Sequence, residues 1–306
     1  MEFGALAQAI AKMLALAGAG VLLRLSGLLK RDDSRVLNAV IMYAALPALV
    51  FRVARQAALS WDLLRVSGIA WGVGAAAFVL AWLLARALRL PPKTAGAFML
   101  VTALGNTGYI GYPVTTMLLG ERQLPKAVFY DVFGTVALLF TVGVFVASRT
   151  GSHDGKISLA KELLSAPALI ALLAGLLSRL LPLSGPVQAV VMDWLGLVAN
   201  LTVPLVMMSL GLTLRGEGLR KRAASLVASG AVKLLVLPAV ALGIGLAVGD
   251  RESLRLVALQ AGMPSMMLTL MVGDRFELDT DLIASAILAS TVACVLTVPL
   301  VQLLVR

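Results

Sequence analysis

The sequence predicts an all-α membrane protein: ten transmembrane helices arranged as two five-helix inverted repeats. Three observations carry this. Of the 306 residues, 60% are hydrophobic and 14% charged, against about a quarter charged in a soluble domain. The apolar residues gather into ten stretches, separated by short charged loops, and about 20 such residues suffice to cross ~30 Å of hydrocarbon. Finally, the fourth stretch of each half carries a helix breaker. A soluble globule is excluded, because too little polar surface is available to coat one. An outer-membrane barrel is excluded by the lack of period-2 alternation.

In order, the first stretch lies near 5–28 and the second near 36–54, where Pro47 stands within MYAALPALV (42–50). Met1-Glu2-Phe3 lacks a basic leader, so the first helix is expected to stay as an anchor. The third, near 63–88, contains VSGIAWGVGAAAFVLAW, with no acid in it. The fourth, near 94–119, contains ALGNTGYIGYPV, with three glycines and a proline; the fifth, near 125–148, holds Asp131. A basic loop separates these from the sixth, near 163–182. The seventh, near 186–213, carries NLTVPLVMM (200–208), which sets Pro204 as MYAALPALV sets Pro47. The eighth, near 223–248, has Lys233 at its middle; the ninth, near 253–273, has Pro264; the tenth, near 281–304, has the single cysteine, Cys294. One cysteine allows no disulfide within the chain.

Stretches four and nine also end alike, in Gly120-Glu121-Arg122 and Gly273-Asp274-Arg275. The predicted division is therefore a first repeat over 1–150, a central loop over 151–162 and a second repeat over 163–306. With an odd number of spans per repeat, the second copy enters from the opposite face. The halves are then related by an axis in the membrane plane, as in many secondary transporters.

The formal charge of +10 does not point to nucleic acid, because the basic residues fall at helix ends. Fifteen lie in loops after odd-numbered helices and nine on the other side. The positive-inside rule then places both termini outside the cytoplasm of an inner-membrane, multi-pass protein embedded in lipid. Trp61, Trp71, Trp82 and Trp194 include candidate interface anchors.

Glycine loosens a helix and proline removes a donor. Non-helical backbone is tolerated at membrane depth only where it is buried in protein or lines a wet cavity. Two broken helices meeting near the midplane would present free N–H groups and partial positive charge to an anion, and unwound carbonyls to a cation. The residues predicted to line that pocket are Asn106, Thr107, Tyr109, Tyr112, Pro113, Gln260, Met263, Pro264 and Ser265. Pro47, Pro204 and Pro238 read as ordinary membrane-helix prolines.

The motifs GNTGYIGYP (105–113), ALP (45–47), QAGMPS (260–265) and GDR (273–275) resemble those of the auxin efflux carrier family. That family includes plant auxin carriers and bacterial carriers of malonate- and malate-like acids. The resemblance implies a fold similar to sodium/proton antiporters and bile-acid symporters, with helices four and nine broken and crossed. It implies a scaffold domain of helices 1, 2, 6 and 7, a mobile transport domain of helices 3–5 and 8–10, and a homodimer joined through helices 2 and 7. It assigns Asn106 to substrate contact and Pro113 and Pro264 to the crossover. The short central loop resembles the bacterial branch.

Ionisable residues at bilayer depth are costly and face the protein interior. Asp131 is the candidate proton carrier or sodium ligand; Lys233 is expected to pair with it or to hold an anion. Lys12 is expected to snorkel to the surface and Asp193 to lie at the interface. Asn38, Asn200 and Gln260 suit interhelical hydrogen bonds. Thr107 and Ser265 offer hydroxyls to a carboxylate, and Met263, Met266 and Met267 read as packing. The expected function is secondary transport of small organic anions by an elevator-type movement, coupled to protons or sodium and using no cofactor. A bile-acid-type sodium symporter and a cation/proton antiporter stay open, as does a membrane sensor. An enzyme is not expected: the single histidine, His153, lies in the central loop, and HExxH and Walker A motifs are absent.

Overall fold

Apolar helices make up nearly all of the computed structural model, which describes residues 3–57, 60–152, 166–180, 186–213 and 222–305. Most of the central loop, with His153, lies outside the described residues, as do Lys156, Lys161, Arg215, Arg220, Lys221 and Arg306. Helix α1 (Phe3–Leu25) leads to α2 (Ser34–Gln56) and α3 (Trp61–Ala87). The fourth predicted span is in two pieces, α4 (Pro92–Ala103) and α5 (Gly111–Leu119). There follow α6 (Glu121–Thr150), α7 (Pro167–Leu177), α8 (Pro186–Ala199), α9 (Thr202–Thr213) and α10 (Ala223–Ala247). The ninth predicted span is also in two pieces, α11 (Leu254–Ala261) and α12 (Leu268–Arg275), before α13 (Thr280–Leu304). Among the described residues six helical stretches are long and apolar enough to cross a membrane: α2, α3, α6, α10, α13 and Val187–Ser209, which runs through α8 and α9. Among the described residues the only strand-like feature is one antiparallel bridge, Gly105 to Ser265.

Two prolines widen helices without stopping them. A proline inside a helix removes one donor and crowds the carbonyl four residues back. For Pro47 that residue is Tyr43, and for Pro238 it is Leu234. Both lie in π-type turns, at Ile41–Ala45 in α2 and Val232–Val236 in α10. Pro204 behaves differently: it stands in the first turn of α9, after a break at Asn200–Leu201, where its missing N–H costs little.

Packing divides the chain into two units. The first comprises Met1–Leu59, Gly108–Val128 and Leu164–Arg215; the second comprises Ser60–Thr107, Phe129–Leu163 and Gly216–Arg306. In the first unit α1 and α9 touch backbone to backbone. A Cβ on Gly20 would lie 2.2 Å from the Met208 carbonyl oxygen, and one on Gly211 would lie 2.0 Å from that of Ala17. Small residues allow this approach, and dispersion supplies the attraction that lipid does not oppose. Arg24 Nη1 donates to Leu212 O at 3.0 Å, and Ser209 Oγ donates to Asn38 Oδ1 at 2.7 Å, holding α9 to α1 and α2. Asn38 thus has the interhelical role expected of it.

In the second unit α3 packs on α6, where two π-type turns (Asp131–Val136 and Leu139–Gly143) loosen the ladder. Ser67 Oγ donates to Phe129 O at 3.0 Å and Trp71 Nε1 donates to Phe133 O at 2.8 Å. Side chains of α3 therefore bond carbonyls in the loosened stretch. Trp71, an expected interface anchor, spends its N–H inside the protein. Asp279 gathers the loops: it accepts from Arg222 Nη2 at 2.9 Å, Thr94 Oγ1 at 3.2 Å and the Leu282 N–H at 3.0 Å.

Candidate functional site

The second unit contains a pair of chain breaks bonded to each other. Helix α4 ends at Ala103 because the chain turns extended at Leu104; α11 ends at Ala261, before Gly262. The segments that follow run antiparallel. Asn106 N–H donates to Pro264 O at 2.7 Å, and Met266 N–H donates to Leu104 O at 3.0 Å. An unsatisfied peptide group in hydrocarbon costs several kcal/mol, and here each break supplies the partners the other lacks. Ser290 of α13 adds a third prop, its Oγ accepting from the Ser265 N–H at 3.0 Å.

The predicted site residues divide by what they already hold. Asn106 is 2% exposed and its Nδ2 has no partner among the described residues. Ser265 Oγ donates to Val101 O at 2.8 Å. Thr107 Oγ1 donates to Asp131 Oδ1. A hydroxyl has one proton to give, so neither Thr107 nor Ser265 offers the free hydroxyl donor expected of it. Gln260 and Met263 are fully buried beside the second break, and Pro264 supplies its carbonyl to the first. Tyr109, Tyr112 and Pro113 belong to the first unit, the last two inside α5, where both are buried.

Both intramembrane charges reach the first break, at separate points. Asp131 and Lys233 are each 2% exposed. Lys233 Nζ donates to Ala103 O at 3.3 Å and lies 2.9 Å from where a Cβ on Gly105 would stand. Glycine is needed there so the ammonium can approach the backbone. The expected pairing of Lys233 with Asp131 does not form: Lys233 meets a carbonyl at the end of α4, and Asp131 meets Thr107. Asp131 opens one π-type turn and Lys233 is the second residue of another, and such turns recur at functional sites.

Two cavities are lined by described residues of the first unit. One, about 190 Å³, is lined by Arg52, Pro113, Thr116, Glu121, Asn200 and Thr202 among others; the second, about 640 Å³, is lined by Arg55, Arg179, Gln188 and Asp193 among others. Gln56 lines both. In the charge count Arg52, Arg55 and Arg179 stand only among the nine basic residues assigned to the second side. A signal was available for Arg52, which lies inside the apolar stretch Ser34–Gln56, where a guanidinium is expensive. Among the described residues no cluster of three or more His, Cys, Asp or Glu side chains could hold a metal ion.

Comparison with known proteins shows the family. The family described as "Membrane transport protein" matches residues 5–302. The chain is 31% identical over 303 residues to an uncharacterised transporter of Methanothermobacter thermautotrophicus, covering 98% of each chain. It is 31% identical over 290 residues to one of Methanocaldococcus jannaschii, covering 92% of each. It is 25% identical over 281 residues to a Rhizobium meliloti protein named "Putative malonate transporter", covering 88% of this chain and 86% of that one. With six membrane-spanning stretches and transporters as relatives, this all-helical chain is a multi-pass membrane protein, and it belongs to the membrane transport family of the auxin efflux carriers.

Proposed function

We propose that the protein is a secondary active transporter of small organic anions, with carboxylates as cargo, bound at the paired breaks of helices four and nine. The observation that carries this reading is Asn106: a buried amide donor with no partner among the described residues, held on a break whose own backbone groups are bonded across to Pro264 and Met266. Buried polar groups are normally satisfied, and a bound carboxylate would complete this one. Lys233, whose ammonium lies at the same break, adds positive charge. The malonate named for the Rhizobium relative is the first cargo to try.

In this reading Asp131 is the coupling residue, through Thr107, for a proton or sodium gradient. The transport domain (helices 3–5 and 8–10) moves by an elevator-type step against a scaffold of helices 1, 2, 6 and 7. The two packing units support that division in outline. Two copies associate through helices 2 and 7, and the apolar residues Val190, Trp194 and Leu197 exposed on α8 suit such a face. The protein resides in the inner membrane with both termini outside the cytoplasm. The other readings, a bile-acid-type symporter, a cation/proton antiporter and a sensor, are separated from this one by direct uptake measurement.

The test is counterflow of labelled malonate into liposomes containing the purified protein. Asn106→Ala is expected to abolish uptake and to weaken binding by about tenfold, the worth of one hydrogen bond to a charged group, with an unaltered melting temperature. Wild-type affinity in that variant contradicts the placement of the cargo at the break. Failure of the wild-type protein to exchange any mono- or dicarboxylate contradicts the transport of organic anions.

A further inference from the structure

Three arginines line the two cavities of the first unit, and two of them are committed. Arg55 Nη1 donates to Ser178 O, and Arg179 Nη1 donates to Ala57 O at 2.8 Å. These two fasten the ends of α2 and α7 to each other. Arg52, one turn before the end of α2, does neither. Among the described residues its guanidinium makes no hydrogen bond or ion pair, and its Nε is buried without an acceptor.

The position of the head group shows where it is held. It lies flat on Gly196 of α8: a Cβ there would stand 3.2 Å from Nη1 and 3.3 Å from Cζ. Glycine opens the seat, so the guanidinium turns into the protein. The adjoining cavity of about 190 Å³ contains a second unmet group, since Thr202 is 1% exposed and its Oγ1 has no partner among the described residues. A planar fork of N–H donors and one hydroxyl, both on residues that line the same small space, match the oxygens of a carboxylate, which the guanidinium takes bidentately. The volume equals about six waters at ~30 Å³ each. It falls below the ~300 Å³ at which drug-sized pockets begin, which restricts the ligand to an acid of a few carbons. Glu121 also lines this cavity and is exposed; its like charge opposes an incoming anion.

We propose that the cavity lined by Arg52 and Thr202 is a carboxylate-binding subsite for small organic acids, with Arg52 as the fork and Thr202 as the second donor. The subsite rests on the carboxylate-transport reading and adds to it residues of the first unit. It is distinct from the Asn106 break, which belongs to the second unit.

The experiment is isothermal titration of the full-length protein in nanodiscs with malonate and with acetate. Arg52→Gln is expected to weaken malonate binding at least about tenfold, and Thr202→Val about threefold. Gly196→Ala leaves Arg52 in place while pushing its head aside by a few tenths of an ångström, and is expected to weaken binding about threefold. Glu121→Gln is expected to tighten it. Melting temperatures without ligand establish that each variant is folded; should Arg52→Gln fail that check, Gly196→Ala and Thr202→Val decide the matter. Wild-type malonate affinity in the folded Arg52 or Gly196 variant overturns the subsite while leaving malonate counterflow, and with it the transport reading, standing. Absence of malonate and acetate binding in the wild-type protein overturns the subsite, whereas the transport reading falls only with the absence of counterflow for every mono- and dicarboxylate.

Discussion

Asn106, Thr107, Asp131 and Lys233 show how far a residue's chemistry is set by its neighbours. The sequence marks all four as polar groups inside apolar stretches, and all four gather at one break. It does not tell which hydrogen-bonding atoms are already used. That depends on which carbonyls the broken helix exposes, and these are fixed by contacts between opposite halves of the chain. Thus Thr107 serves Asp131, Lys233 caps the end of α4, and the Asn106 amide nitrogen has no partner among the described residues. Asp131→Asn keeps the size of the side chain and removes its charge. It is expected to leave malonate binding within about threefold of wild type and to abolish the response of uptake to an imposed pH gradient across the liposome. Wild-type pH dependence in this variant removes Asp131 from coupling.

The elements were legible in type and less so in continuity. Hydropathy locates the apolar stretches because crossing hydrocarbon demands length and little else. It treats 94–119 and 253–273 as single spans, since a break costs no hydropathy; the glycines and prolines within them were the only warning. The break at Asn200–Leu201 in the seventh stretch gave less warning, because Pro47 in a similar setting merely widens a turn. Helix contacts follow small residues instead. The approach of α1 to α9 at Gly20 and Gly211 leaves no room for a methyl group. Gly211→Ala is therefore expected to destabilise the protein by about 1–3 kcal/mol, the usual cost of overpacking, read as a lowered melting temperature in detergent. An unchanged melt would show that α1 and α9 can separate freely.

Across the whole molecule, charge distribution predicts orientation, and it does so without reference to packing. Cys294 is buried and is the single cysteine in the sequence, so Cys294→Ala provides a cysteine-free background. Ser26→Cys and Arg251→Cys then place thiols at two exposed loop positions on opposite predicted sides. A membrane-impermeant maleimide applied to intact cells is expected to label position 251 and spare position 26; the reverse pattern inverts the topology. The two breaks were legible through their glycines and prolines, while the grouping of helices was expected from the family resemblance and not from the pattern of any one stretch, because the contacts within each packing unit join stretches far apart in sequence.

The mutual bonding of the two breaks bears on biosynthesis. When the fourth span leaves the ribosome, the peptide groups around Leu104 and Asn106 have no counterpart, for Pro264 and Met266 have yet to be translated. Until the later half is inserted, that stretch must stay hydrated or be shielded by other proteins of the insertion machinery. Neither half alone supplies the partners its own break needs, so a chain halted between them is left with unsatisfied peptide groups.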